Sequence, residues 1–401
     1  MLRAMENEQI AEATRDGVRH GMAGTFELAP KIQTIAAEEY TSPARFEHEV
    51  SHLFRRIPLL LGASVELPKG GDYKSLVVAG VPVLLVRGGD GVLRGFINGC
   101  AHRGAIVAPE ASGNARRFTC PYHGWTYGEK GELLAVASAH DFGEIDRKKH
   151  ALKLLPVVER AGLIFGILDP RSQLDIDAFL SNFDKMLQAF NLQDWHFFGS
   201  KTLAGPNWKL AFDGYLDYYH LPVLHKNTFG RGGVSLGNRA LYRSWGPHQR
   251  LVPPDRAANA LGHLPEAEWS DRYALIGVWA IFPGVAIASF DGGGRGVMIS
   301  QVLPGDHVGH SITRLSYLME KAPTAEQQQA AIHQFDFLET VVLTEDYATG
   351  LGQQRALAAG ALERVMFGQN ESGAPKFHNW VDRILETEDG NLNSLFSSDG
   401  P

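Results

Sequence analysis

The chain has two cysteines in 401 residues, and a histidine follows each within three positions: Cys100-Ala101-His102 and Cys120-Pro121-Tyr122-His123. Two thiols exclude a disulfide framework and allow at most one bridge. Each turn instead brings one thiolate and one imidazole together. Two such turns supply four ligands, which suits a [2Fe–2S] centre with two Cys on one iron and two His on the other. Exchanging two thiolates for neutral imidazoles removes negative charge and raises the reduction potential. Two Cys and two His also suit tetrahedral zinc. The one-residue gap between Cys100 and His102 and the hairpin-rich surroundings favour iron.

Those surroundings are strand-like. Short apolar runs at Leu76-Val77-Val78, Val81 to Val86 and Gly95-Phe96-Ile97 are separated by turn residues. Asp90-Gly91 between the last two favours a tight hairpin, because Gly tolerates positive φ. A charge-rich helical segment precedes this region, to about residue 55. Beyond it the text is mixed. Residues 176–190 and 207–220 read as helical, and 226–262, rich in Gly, Pro, Arg and Asn, reads as an irregular excursion. Runs at 274–282, 297–303 and 311–319 suggest an antiparallel sheet. A long helix is expected from Thr324, where Thr324 and Gln327 have capping-box spacing. Residues after 388 are expected to be poorly ordered. Gly292-Gly293-Gly294-Arg295-Gly296 opens no helix and reads as a hairpin turn, not a phosphate loop.

The segments Cys100-Ala101-His102-Arg103-Gly104 and Cys120-Pro121-Tyr122-His123-Gly124-Trp125 resemble the two ligand loops of Rieske domains at every ligand position. Respiratory Rieske proteins carry an extra cysteine in each loop. Ala105 and Tyr122 stand in those places here, and Trp125 follows Gly124 where a hydroxyl residue is usual. The resemblance is therefore to the ferredoxin and oxygenase branch.

A second constellation lies downstream, in Asp217-Tyr218-Tyr219-His220-Leu221-Pro222-Val223-Leu224-His225. On a helix, Asp217 and His220 share a face. His220 and His225 are five apart, so a break near Pro222 is needed to bring both imidazoles onto one metal. Two imidazoles and one carboxylate with open positions form the facial triad of non-heme Fe(II) oxygenases. The expected C-terminal helix offers the carboxylate. Its apolar stripe of Phe335, Leu338 and Val342 continues to a point between Glu345 and Asp346, so periodicity leaves both open.

The resemblance to Rieske non-heme iron oxygenase alpha subunits covers nearly the whole chain and implies the rest. It assigns the [2Fe–2S] ligands as Cys100, His102, Cys120 and His123. It assigns the mononuclear iron to His220, His225 and Asp346, and makes Asp217 a bridge from His220 to His123 of a neighbouring subunit in a trimer. Many members have Glu-Asn where this chain has Asp213-Gly214, which puts contacts near the open iron position in doubt. Substrate-pocket walls are expected at Asp213, Leu216, Leu221 and Phe229. The implied fold is α+β: a small all-β Rieske domain at 50–165, inserted before a helix-grip (START/Bet v1-like) catalytic domain formed by 1–49 and 166–401. The implied activity is O2-dependent hydroxylation, with aromatic rings first. A demethylase or monooxygenase acting on a smaller non-aromatic substrate such as a quaternary amine comes second, and a pure electron carrier is a remote third.

Composition bounds the partners. The net charge of −7 disfavours nucleic acid, which needs a basic surface. No run approaches the ~18 apolar residues of a membrane helix. The first 22 residues mix acids and arginines without an apolar core, so neither a secretory nor a transit signal is expected; the expectation is a cytoplasmic protein. No flavin or nicotinamide fingerprint is present, so reducing equivalents are expected from a separate ferredoxin or flavin reductase. The length suits an alpha-only trimer, and a beta subunit stays open. His140 and His150 read as solvated. Arg231, Arg239, Arg243 and Arg250 read as surface-loop residues, with contact to an anionic substrate as the alternative.

Overall fold

The computed structural model describes residues 4–232, 236–254 and 260–397. It divides into two compact units. Residues 54–176 form one, and the described residues on either side form the other.

The smaller unit is built from short antiparallel strands. Asp72–Val78, Val81–Arg87 and Leu93–Ile97 are the middle of a five-stranded sheet, with Ser112–Asn114 at one edge and Leu154–Leu155 at the other. The turn after Val78 uses Ala79 and Gly80, both at positive φ. The turn between the next two strands has Gly91 at φ +77°, and the Asp90 carboxylate accepts the Val92 N–H at 3.1 Å. A second sheet of three strands contains Arg117–Thr119, Thr126–Gly128 and Leu133–Ala135. The pairing of Thr119 with Thr126 makes residues 120–125 the loop of a hairpin. Phe96, Phe118, Trp125, Tyr127 and Leu133 form the core here, and both cysteines belong to it.

The larger unit is an antiparallel sheet of seven strands. In spatial order they are His196–Gly205, Ser311–Met319, Arg295–Pro304, Val285–Asp291, Val278–Ile281, His248–Val252 and Leu241–Trp245. The helix Ala325–Val341 lies against the first two. Phe335 stacks on Tyr317 with centroids 5.4 Å apart and meets Phe198 edge-on. Its N-terminus is the capping box read from the sequence, with Thr324 Oγ1 accepting from Gln327 N–H and Gln327 Oε1 from Thr324 N–H. Phe335, Leu338 and Val342 are buried. The helix widens to a π-helical turn over Val342–Tyr347 and continues as Ala348–Ala358.

Several expectations need correction. The region 226–262 is not irregular throughout, since Leu241–Trp245 and His248–Val252 pair as a hairpin at the sheet edge. Its polar residues are used inside the fold. Arg250 is buried over Trp279, Arg243 pairs with Asp16 and Glu27, and Arg239 stacks on Phe26. Of the three, Arg243 is committed to carboxylates of this chain. Residues 233–235 and 255–259 of that excursion lie outside the described residues. Of the residues after 388, Leu392–Ser397 form a short helix, with Phe396 buried on Trp380 and Phe179, and 398–401 lie outside the described residues. Helix over 207–220 holds only to Leu216.

Candidate metal centres

The two cysteine loops are built alike. Cys100 N–H donates to Ala105 O at 2.8 Å and Gly104 N–H to Cys100 O at 2.7 Å; Cys120 N–H donates to Trp125 O at 2.8 Å and Gly124 N–H to Cys120 O at 3.0 Å. The closing glycines sit at φ +76° and +70°, which side chains with a Cβ rarely adopt. Each loop thus turns its Cys inward and its His beside it. Both cysteines are buried and unbridged. The rings of His102 and His123 are 4.5 Å apart, and His102 stacks on Trp125 at 5.2 Å.

These residues fit a [2Fe–2S] centre. His102 Nδ1 is a buried nitrogen without a hydrogen-bond partner, as a metal-ligating nitrogen is. Removal from water, then the nearby His123 and Arg103, hold His102 below the usual imidazole range, favouring the neutral form that ligates metal. The Tyr127 hydroxyl lies 3.2 Å from Cys100 Sγ and accepts the Ala101 N–H at 2.9 Å. Burial, then its contact with Cys100, pushes the Tyr127 pKa up, so the phenol keeps the proton that it donates to sulfur. Hydrogen bonds to sulfur tune such a cluster's potential. Two thiolates and two imidazoles suit two bridged irons, one pair of like donors to each.

The second centre begins at a helix end. Asn207 caps the helix Trp208–Asp213, a 3-10 turn Gly214–Leu216 follows, and Asp217 is extended at φ −137°, ψ 159°. Asp217 and His220 therefore do not share a helix face. They meet because the chain turns back: Asp217 Oδ1 accepts both the backbone N–H of His220 at 3.1 Å and its Nδ1–H at 2.8 Å. Pro222 does not break a helix either. It sits in the first turn of a new one, Leu221–Leu224, where a missing N–H costs nothing. His220 and His225 flank this single turn, and their rings are 5.1 Å apart.

Both imidazoles turn their Nε2 atoms to one carboxylate. Asp346 Oδ1 is 3.3 Å from His225 Nε2 and 3.7 Å from His220 Nε2, and one ligand atom from each of the three lies within 4.8 Å of the others. At the far ends of the rings, Asp217 holds His220 Nδ1, and Glu345 accepts from His225 Nδ1 at 2.6 Å. Thr228 Oγ1 donates to the same Glu345 oxygen at 2.8 Å. Carboxylates on both Nδ1–H groups fix the tautomers that leave the Nε2 lone pairs free. Burial alone would lower the His225 pKa, but Asp346 and Glu345 raise it. The same negative field favours a cation at the Nε2 end. The donor set, two neutral imidazoles and one carboxylate, fits a mononuclear Fe(II).

Sequence reasoning left Glu345 without a role and did not find Thr228. The adjacent Glu345 and Asp346 both lie on the π turn, and both reach His225, from opposite ends of its ring. An apolar chamber of about 140 Å³ opens onto the donors, with Leu221 and Phe229 in its wall. Asp213 and Leu216 are not in that wall, contrary to expectation. The Asp213 carboxylate accepts from Tyr40 OH at 2.7 Å and lies 3.1 Å from His378 Nε2; Asp213 lines an adjoining hollow of about 210 Å³ whose wall also includes Asp217, His220, Asp346 and Glu371. Leu216 is buried in the core.

The chain matches the family profile "Ring hydroxylating alpha subunit (catalytic domain)" over residues 192–387 and "Rieske [2Fe-2S] domain" over 58–146. It is 30% identical over 214 residues to the anthranilate 1,2-dioxygenase large subunit of Acinetobacter baylyi, covering 51% of this chain and 45% of that protein. It is 26% identical over 355 residues to the terephthalate 1,2-dioxygenase terminal oxygenase component subunit alpha 2 of Comamonas sp, covering 80% and 85%. The carnitine monooxygenase oxygenase subunit of Escherichia coli is 33% identical over 195 residues, covering 48% and 52%. The matched stretch thus spans about half the length of the first and third of these relatives. In fold, the chain resembles the crystal structure of a quaternary ammonium Rieske monooxygenase in complex with L-carnitine, with TM-score 0.74 and 21% identity over 89% of this chain and 97% of that one. With two loops that fit a [2Fe–2S] cluster, a donor set that fits mononuclear iron, and both family profiles matched in order, the chain belongs to the Rieske non-heme iron oxygenase alpha subunits.

Proposed function

We propose that this protein is a terminal oxygenase that hydroxylates an aromatic or related cyclic organic substrate, with cis-dihydroxylation of a ring as its first reaction. Electrons come from a ferredoxin or flavin reductase, and the working assembly is a homotrimer, with or without a beta subunit. The observation that carries the substrate reading is the chamber onto which His220, His225 and Asp346 open. Its wall is mainly apolar and aromatic, with Leu221, Phe229, Val278, Phe290 and Met298 among its residues. An apolar ring gains from burial there.

In this reading Cys100, His102, Cys120 and His123 hold the cluster, and His220, His225 and Asp346 hold the mononuclear iron. The chemistry that iron held by these three residues would supply is O2 activation. The chain's own contribution is positional. Asp217 and Glu345 keep the Nδ1 protons in place, so both Nε2 lone pairs stay directed at one point. The apolar wall excludes water from the same point. Asp217 also serves as the bridge to His123 of a neighbouring subunit, since a carboxylate that accepts from two imidazoles offers a short electron route.

A second reading, oxidation of a quaternary amine, draws support from the carnitine monooxygenase relative and from the same aromatic wall, because aromatic faces attract quaternary ammonium groups. Product analysis decides between them. The purified enzyme, with a generic reductase, is given benzoate, toluene, naphthalene and carnitine under O2. Aromatic diols support the first reading, and trimethylamine release from carnitine with no ring product defeats it. Reoxidation of the reduced cluster in a single turnover tests Asp217→Asn. In protein reloaded to full iron content, a slowing of roughly 10–100-fold is expected, and an unchanged rate removes the bridge.

A further inference from the structure

Two of the hollows around the histidines share an aromatic stretch of wall. The inner one holds about 140 Å³ and contains the donor set in its wall. The outer one holds about 420 Å³, and its wall includes Arg272, Tyr273, Asp291 and Arg295. Six residues line both: Tyr218, Leu221, Phe229, Val278, Ala288 and Phe290. They form the neck where the chambers adjoin.

Phe229 dominates that neck and is held on three sides. It meets His225 edge-on at 5.3 Å and Phe337 edge-on at 5.5 Å, and it stacks with Phe290 at 6.2 Å and 20°. An aromatic ring fixed by three aromatic neighbours behaves as part of the wall. The inner volume is close to the ~150 Å³ of an apolar cavity that takes up benzene. The outer chamber differs in character: Arg272 is ion-paired with Asp291, and Arg295 with Glu320 at 3.2 Å.

We propose that Phe229 and Phe290 form a fixed aromatic neck that admits a single ring to the inner chamber and directs any ring substituent into the outer, more polar one. The substrate class is then monocyclic aromatics, and these two residues set the size limit. This rests on the oxygenase reading above and adds the ring count and the residues that impose it. A second fused ring has to displace packed side chains, which costs about tenfold or more in affinity.

The test is equilibrium binding of toluene and naphthalene to the iron-loaded enzyme, measured anaerobically without a reductant so that nothing turns over. Product analysis under O2 accompanies it. The natural enzyme is expected to bind toluene at least about tenfold more tightly than naphthalene. Phe229→Ala joins the chambers and is expected to reverse or abolish that ratio. Phe290→Ala is expected to move it in the same direction, and it reads the proposal alone should Phe229→Ala lose its cluster absorbance. Equal binding of the two ligands by the natural enzyme, binding of neither, or a ratio unmoved by the variants overturns the neck. Binding as expected without any ring product leaves the neck standing and defeats the aromatic oxygenase reading instead.

Discussion

Glu345 and Asp346 are chain neighbours that grip opposite ends of one imidazole: Glu345 Oε2 lies 2.6 Å from His225 Nδ1, and Asp346 Oδ1 lies 3.3 Å from His225 Nε2. Both lie on the π turn Val342–Tyr347. It divides two acids of the same chemistry into an orienting group and a candidate ligand.

The division has a measurable consequence. Glu345→Gln keeps the shape but replaces the charged acceptor with a neutral amide, so His225 loses its fixed tautomer. Iron affinity at the mononuclear site is expected to fall roughly 10–100-fold, as for other partners of metal-bound histidines. Chelator competition followed by metal analysis measures it, and the visible absorbance of the [2Fe–2S] centre serves as the internal control. Unchanged retention makes Glu345 incidental.

Asp346→Asn tests the ligand set more severely. It removes the carboxylate that both Nε2 atoms face. The natural protein is expected to carry about three irons per chain, one cluster plus one triad, and the variant about two. The reduced-cluster EPR signal is expected to persist. A variant that keeps three irons moves the ligand to another residue.

What the sequence made legible follows from the range over which each signal acts. The Cys/His loops, the Gly91 turn and the Thr324–Gln327 cap depend on a few adjacent residues, so their chemistry is readable from spacing alone. Local text misled where distant contacts decide. Residues 241–252 look like loop because they carry Arg, Ser, Gly and His, yet Arg250 is buried over Trp279 and the hairpin completes a sheet. The resemblance put Asp213 in the pocket, where relatives carry Glu-Asn, but Tyr40 and His378, on helices far off in the chain, claim its carboxylate. Periodicity left Glu345 beside Asp346 without a role, because the partner that gives it one, His225, lies 120 residues away in the chain.

Beneath the metal-bearing segment lies a buried charge cluster. Lys209 Nζ pairs with Glu49, both fully buried, while Trp208 Nε1 donates to Glu49 Oε2 at 2.8 Å and Arg45 Nε to Glu49 Oε1 at 2.9 Å. It ties Glu49 to the helix Trp208–Asp213 that leads to His220. Lys209→Met removes one cation and leaves a buried carboxylate underpaired, which is expected to destabilise by roughly 3 kcal/mol, the low end for a broken buried pair because Arg45 remains. The double variant Lys209→Met, Glu49→Leu is expected to recover part of that loss. Urea midpoints of the three proteins decide it, and no loss in the single variant refutes the account.

His248 makes the larger unit sensitive to acid. It is fully buried, its Nε2–H donates to Phe179 O at 2.9 Å, and its Nδ1 accepts the Phe282 N–H at 3.2 Å. Phe183 stacks on its ring and Phe179 meets it edge-on. Both nitrogens are thus used by the neutral tautomer, and burial pushes the pKa down to about 4. An unfolded histidine titrates near 6.5, so between those values the unfolded chain takes up a proton that the folded chain refuses. The stabilisation is complete above pH 6.5 and drains away as the pH falls toward 4, by on the order of 2 kcal/mol at pH 5. His248→Gln carries no such proton and is expected to show a flatter urea midpoint between pH 7 and pH 5, whatever its stability at pH 7. Parallel curves for the two proteins over that window mean that His248 is not the acid-sensitive group.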